Sequence, residues 1–334
     1  MPAFATHEIF GQEAVDGIAS DKLHQVVQHH LEVFRLGCQG PDIFFFHPVI
    51  RKGCHKINMG SKLHKTEINR FFEEFLQELL LLRSRFGLDT GISYFLGFLS
   101  HYALDTHIHP YVYSKIGYEA DNPDSASRTL PAHQRLEAII DKKMLMAKRN
   151  CMPSAYYPDK RMQVTERELS VIAGLLSRTL RKVYHIALHD TNIKLSYRSM
   201  RLAMRHIYDH TGTRRQRICA FESAVLCRPV IANMIVADTL PDRIDAMNIR
   251  GRVWRNPWNQ DEAFDSSVWE LYDNAVEQYQ EYINVVEPVL QGMFQRMCLL
   301  EQQKSRAGSA KKMIAGKIPE IIGGLEDKSY HSGQ

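Results

Sequence analysis

Several things are scarce in this chain of 334 residues. Its six cysteines are scattered, with no C-x-x-C pair, which excludes a thioredoxin-like redox pair and a cysteine-rich zinc site. The N-terminus lacks a basic start followed by an apolar core, so no signal peptide is expected and the cysteines read as reduced thiols of a cytoplasmic protein. Long apolar runs are missing. The longest uncharged stretch, Thr90 to Leu104, is broken by Ser93, Ser100 and His101, and is too short and too polar to span a membrane. Charge of one sign is not in excess: the net is +4 and the basic residues are dispersed. A nucleic-acid partner, which favours a basic face, is not expected. Apolar–polar alternation, internal repeats and low-complexity segments are also lacking, which argues against an extended sheet or a solenoid.

What is present is helical periodicity, and the fold class is all-α. A helix is expected from Asp21 to Leu36, stopping at Gly37. The segment Gly40–Pro48 reads as a buried loop or short helix, and Thr66 as the cap of the helix that follows. A central helix from about Asp89 to Ile108 is apolar nearly all round, so it should be packed on several sides. Pro110 disfavours helical backbone at His109, which should end it. Pro131 suits the first turn of a helix reaching Arg149. Further helices are expected over 165–188, 191–210 and 215–236, a loop over 252–259 and a long helix over 264–303. The organisation is a single domain over 1–303, with a metal-binding half at 1–150 and packing helices over 151–303. A loosely docked tail, 304–334, follows.

Histidine is plentiful, at sixteen residues, and its placement matters more than its number. His101, Asp105 and His109 recur at intervals of four on the central helix. Each step of four turns the helix by only about 40°, so all three share one face. His133 and Glu137 repeat the spacing on the next helix. Leu96, Leu99, Ala103 and Leu104 surround His101 and Asp105 with apolar neighbours, where a carboxylate needs a cation or a strong partner. His7, Asp42 and His64 are candidate companions. His107 lies about 200° from Asp105 around the helix, so the geometry prefers His109. Taken singly, each residue has a plainer reading as a core histidine, a turn residue or a solvated helix pair; the set is what points to metal.

In this order, His7, Asp42, His64, His101-x-x-x-Asp105, His109 and His133-x-x-x-Glu137 resemble the zinc-dependent phospholipase C family. That family includes secreted bacterial enzymes and shares its fold with fungal single-strand-specific zinc nucleases. The resemblance implies a multi-helix bundle around two or three zinc ions. Asp42, His64, His101 and Asp105 would hold one ion, and His109, His133 and Glu137 a second. A third would use His7, with Asp105 bridging to it. In the secreted enzymes a processed N-terminal Trp also binds the third ion, whereas this sequence begins Met1-Pro2. Tyr111 stands where those enzymes place the histidine after the bridging Asp, so His109 is the nearest match.

The function this implies is phospholipase C-like hydrolysis of a phospholipid or related phosphodiester by metal-activated hydroxide. Asp42 is the candidate to orient or deprotonate the attacking water. Glu8 is a second catalytic candidate, for that role or for a cationic head group. The expected partner is a phospholipid or another phosphodiester, with peripheral membrane contact. Two rivals stand beside this reading: a nuclease or nucleotidase of the same fold, and a non-catalytic zinc-stabilised helical protein.

Overall fold

A computed structural model describes residues 4–47, 58–226 and 231–334. The first half contains helices α1 (Phe4–Asp16), α2 (Asp21–His29), α3 (Leu31–Gly37), α4 (Met59–Leu63), α5 (Ile68–Leu81), α6 (Arg85–Lys115) and α7 (Ser125–Arg149). The second contains α8 (Pro158–Arg161), α9 (Glu166–Tyr184), α10 (Asp190–Ile207), α11 (Thr213–Leu226), α12 (Ile231–Met234), α13 (Val268–Glu301) and α14 (Ala307–Ile322). The all-α class is observed. The only strands among the described residues form two small pairings. Tyr208–Asp209 lies parallel to Val236–Ala237, and Trp254–Asn256 forms an antiparallel hairpin with Asn259–Phe264. That hairpin begins within the stretch expected to be a loop, 252–259, and runs past it to Phe264. Of the helix expected over 215–236, residues 227–230 lie outside the described part.

Helix α6 is the axis of the molecule. The Ser84 side chain caps it by accepting from the Gly87 N–H at 3.1 Å, and it is buried along nearly its whole length. It is packed by α3, α13, α1, α2 and α9. The crossing with α3 is a backbone contact. A Cβ on Gly97 would come within 2.2 Å of the Phe34 carbonyl, and one on Gly37 within 2.3 Å of the Tyr94 carbonyl. No larger residue fits either side, so α3 lies hard against α6.

Four helix expectations shift. The helix over 21–36 breaks at His30, whose Nδ1 turns to Glu168 Oε1 at 2.8 Å, although α3 does end at Gly37. Thr66 does not cap α5: its hydroxyl donates to the Lys62 carbonyl, and Glu67, at φ 58°, stands at the N-cap position before Ile68. Pro110 does not end α6, and Pro131 lies inside α7 rather than at its start. A proline within a helix leaves one carbonyl four residues earlier without its donor. For Pro110 that carbonyl is Thr106, and Gly333, at the far end of the chain, packs against it. Because α6 runs on, His109 and then Tyr113 stay on the face of His101 and Asp105.

One apolar cluster extends from Phe4 to Tyr330. The segment expected as a loosely docked tail holds α14, which packs on α13 and α5 and buries Ile314, Ile318 and Ile322. Beyond it the chain returns across α6, burying Leu325 and Tyr330. Among the described residues, no helix is long and apolar enough to cross a membrane.

Candidate metal centre

Four segments converge on the buried face of α6. Helix α1 brings His7. The 3-10 helix Gly40–Phe46, delivered by the tight α3–α6 crossing, brings Asp42. His64 ends α4, and α7 brings His133 and Glu137. Gly40 is at φ 49°, and a Cβ there would strike the His101 ring at 2.4 Å. Glycine is therefore required both for the turn and for the approach of the two segments.

All eight residues expected as ligands are buried and lie together. Asp105 is at the middle. Its Oδ1 is 3.2 Å from His7 Nε2, and its Oδ2 is 3.0 Å from His101 Nε2, 3.4 Å from His109 Nδ1 and 3.7 Å from His64 Nε2. Asp42 Oδ1 is 3.3 Å from His64 Nε2. Glu137 Oε1 is 2.9 Å from His133 Nε2 and 3.4 Å from His109 Nε2. Three sets have ligand atoms within 4.8 Å of one another: His7, His101 and Asp105; Asp42, His64 and His101; and His109, His133 and Glu137. His101 belongs to two of them.

The rings are aimed by backbone carbonyls. His64 Nδ1 pairs with the Gly60 carbonyl at 2.6 Å, His101 Nδ1 with Cys38 at 3.0 Å and His109 Nδ1 with Tyr330 at 2.9 Å. A proton held on Nδ1 by such a carbonyl leaves the Nε2 lone pair free to bind an ion.

Electrostatics agrees with that arrangement. Burial alone would raise the Asp105 carboxyl, but His109, His101 and His7 hold it well below the usual carboxylate range. Glu137 is likewise low: burial opposes ionisation, and His133 and His109 more than offset it. Burial would raise Asp42 too, yet His64 and His101 bring it down. His109 is raised: burial favours its neutral form, and the charges of Asp105 and Glu137 overcome that. These carboxylates are anionic and face imidazoles, the donor set that zinc takes. Two buried nitrogens, His7 Nδ1 and His101 Nε2, make no hydrogen bond, although Asp105 lies 3.0 Å from the latter. An orphaned buried nitrogen is costly unless something else binds it, so the residues present fit a metal.

A cavity of about 500 Å³ opens over Asp42, His64, His109 and His133. Its walls are largely apolar, with Phe45, Phe46, Tyr118, Leu130 and Met234 among them. A pocket of about 20 Å³ lies behind, touching His7, Asp105, His109 and Glu137.

Glu8 is not brought to this cluster. It is wholly buried, its Oε1 lies 3.1 Å from Arg35 Nε and 2.5 Å from Arg161 Nε, and the Tyr156 hydroxyl donates to its other oxygen. One residue from His7 on a helix is about 100° away, which turns it from the metal face to an ion-pair network.

Three residues of the site were not picked out from the sequence. Tyr113 extends the series His101, Asp105, His109 by one more step of four, and Asp141 extends His133, Glu137 in the same way, so the spacing contained both. Asp141 accepts from the Ala5 and Thr6 amides at 3.2 and 2.9 Å and from the Thr6 hydroxyl at 2.6 Å, holding the start of α1. Burial pushes its pKa up to about 7 against the pull of those bonds. The third, His331, lines the large cavity beside His64 and His109, and no spacing in the sequence marks it.

The fold and this donor set define an all-helical protein with buried His, Asp and Glu groups that could hold metal. A family model described as zinc-dependent phospholipase C matches residues 6–185. That span is more than half of the chain, and the protein belongs to the zinc-dependent phospholipase C family. No curated protein and no solved structure matches it.

Proposed function

We propose that the protein hydrolyses a phosphodiester, a phospholipid in the first place, at two or three zinc ions held by the buried cluster. The observation that carries this is the convergence of three ligand sets around Asp105 beneath a cavity with largely apolar walls. In this reading Asp42, His64, His101 and Asp105 would hold one ion, His109, His133 and Glu137 a second, and His7 with Asp105 a third. Zinc, when bound, acidifies a water and polarises the phosphoryl oxygens.

The remaining work falls to the chain itself. Asp42 lies on the cavity wall, where its carboxylate can orient the attacking water while also serving as ligand. The Gly60, Cys38 and Tyr330 carbonyls keep His64, His101 and His109 in one tautomer. The apolar walls formed by Phe45, Phe46, Leu130 and Met234 suit an alcohol that carries acyl chains, which favours a lipid over a nucleotide and implies peripheral contact with a membrane. Glu8 has no part in this mechanism, because both its oxygens are engaged by Arg35, Arg161 and Tyr156. Of the six cysteines, Cys38, Cys151, Cys219 and Cys298 are unpaired, while Cys54 and Cys227 lie outside the described residues. Free thiols support the cytoplasm as the place of action. The domain reading is one helical body over 1–303 with 304–334 laid upon it.

Metal analysis of the purified chain, paired with hydrolysis of phospholipid in mixed micelles, of bis(p-nitrophenyl) phosphate and of single-stranded DNA, tests this. Bound zinc, chelator-sensitive diester cleavage and a preference for the lipid are expected. Zinc without turnover of any diester would mean a non-catalytic zinc protein. Cleavage of DNA with none of lipid would mean a nuclease.

A further inference from the structure

We propose that His331, carried in by the C-terminal segment, is a substrate-contacting residue that donates a hydrogen bond to a phosphoryl oxygen in the cavity. The proposal rests on the phosphodiesterase reading of the same site and adds a group that the ligand pattern does not include.

The segment that carries His331 is built into the site. The Tyr330 amide donates to the His64 carbonyl at 3.1 Å, and the Tyr330 carbonyl accepts from His109 Nδ1 at 2.9 Å. Its ring is buried, packed on Tyr102 and His64 at centroid distances of 4.9 and 5.1 Å. The Tyr102 hydroxyl bonds the Glu326 carbonyl and accepts from the Lys328 amide. On the far side of His331, Asn256 Nδ2 donates to the Ser332 carbonyl at 2.8 Å. Contacts before and after it therefore fix the backbone at His331 on two ligands and a tyrosine pair.

His331 itself lies between two ligand sets, with ring centroids 5.5 Å from His64 and 5.7 Å from His109. It is in none of the three sets of mutually close ligand atoms. Its Nδ1 is 3.1 Å from the Tyr113 hydroxyl, and its ring forms part of the cavity wall. In the tautomer proposed here the phenol donates to Nδ1, so the ring proton sits on Nε2. A fixed N–H next to a phosphoryl group needs no reorganisation as negative charge builds on the oxygens. Tyr113 is then a positioning residue, acting through His331.

The test uses the full-length, zinc-loaded chain and three variants, His331→Ala, His331→Gln and Tyr113→Phe. Zinc content is measured first, then affinity for inorganic phosphate by calorimetry, then kcat/KM on a phosphodiester. Loss of one hydrogen bond to a charged group is worth roughly ten- to a hundred-fold. His331→Ala should keep the full zinc content and lose phosphate affinity and kcat/KM by that factor. The amide of His331→Gln should restore part of both, and Tyr113→Phe should lose a few-fold in each. A fall in zinc content in both His331 variants would make the residue a ligand or a structural prop and overturn the proposal. Unchanged phosphate affinity would overturn it as well, and a rise in turnover would show the segment to be an obstruction. A wild type that binds phosphate but cleaves no diester removes the phosphodiesterase reading alone, because the phosphate titration still decides the contact.

Discussion

Asp105→Asn is the substitution from which the cluster should suffer most, and the geometry says by how much. The side chain keeps its shape and loses its charge. Its two oxygens lie between 3.0 and 3.7 Å from four imidazoles, those of His7, His101, His109 and His64. One ligand set includes Asp105 outright, and the set of Asp42, His64 and His101 adjoins it through His101. His133 belongs to one set only. At free zinc a hundred-fold above a site's dissociation constant, each filled site adds about 2.7 kcal/mol to the unfolding free energy. In a chain of this size 1 kcal/mol moves Tm by about 1.4 °C, so a site is worth about 4 °C.

The zinc-induced rise in Tm should therefore shrink by about 8 °C in Asp105→Asn and about 4 °C in His133→Ala, from two sites and one. Each variant is compared with its own metal-free form, which cancels whatever the substitution does to the apo-protein. Calorimetric scans with and without zinc give the shifts, and elemental analysis gives the stoichiometry. An Asp105→Asn protein with undiminished zinc content and an unchanged shift would refute the central position of Asp105. So would a larger loss in His133→Ala than in Asp105→Asn.

Gly40→Ala should cost about 1–2 kcal/mol from left-handed backbone alone, and its Cβ should push the His101 ring aside, lowering zinc content together with the denaturation midpoint. Glu8→Gln strands Arg35 and Arg161 and should destabilise by about 3 kcal/mol, at the lower end because Arg161 is partly exposed; zinc content and kcat should persist, and a folded, zinc-replete but inactive protein would restore Glu8 to the mechanism. Zinc must expel the proton of His109, whose pKa is raised by Asp105 and Glu137 against burial, so affinity should fall as pH drops through that raised value, with protons released on binding at lower pH. Burial would raise Glu78, but Arg178 and Lys182 bring it below its ordinary 4.5. Its contribution is present above that value and lost as pH falls through the folded pKa, so the stability gap between wild type and Glu78→Gln should close in acid denaturation curves.

The candidate ligands on α6 and α7 were legible because helical periodicity turns spacing into direction. His101, Asp105 and His109 cannot lie at intervals of four on one helix without sharing a face. His7, Asp42 and His64 were legible only as members of an ordered set, since each sits on a different segment and no local rule aims it. Helix ends were less secure. Pro110 opposes helix locally, but packing on several sides of α6 outweighs the loss of one hydrogen bond, and Gly333 covers the carbonyl left behind. Glu8, next to His7 in sequence, is about a 100° turn from it in space. His331 was out of reach: it meets the site through contacts with residues more than two hundred positions away, and neither composition nor period records them.

Helices α6 and α7 each carry their series one step beyond the candidate ligands, and the extra residue ties down a distant segment. On α6 that residue is Tyr113, which bonds His331. On α7 it is Asp141, which takes the free amides at the start of α1 through Ala5 and Thr6 and so sets the register of His7. Amides in a first helical turn have no partner within the helix, so a carboxylate supplied from outside both satisfies them and fixes where the helix begins. The segments bearing His7 and His331 are thus each anchored by the same face that presents the ligands. Disturbing either anchor should act on the cluster through position rather than chemistry. Asp141→Asn, which keeps an acceptor, should therefore be milder than Asp141→Ala, and both should weaken the set containing His7 while sparing that of His109, His133 and Glu137.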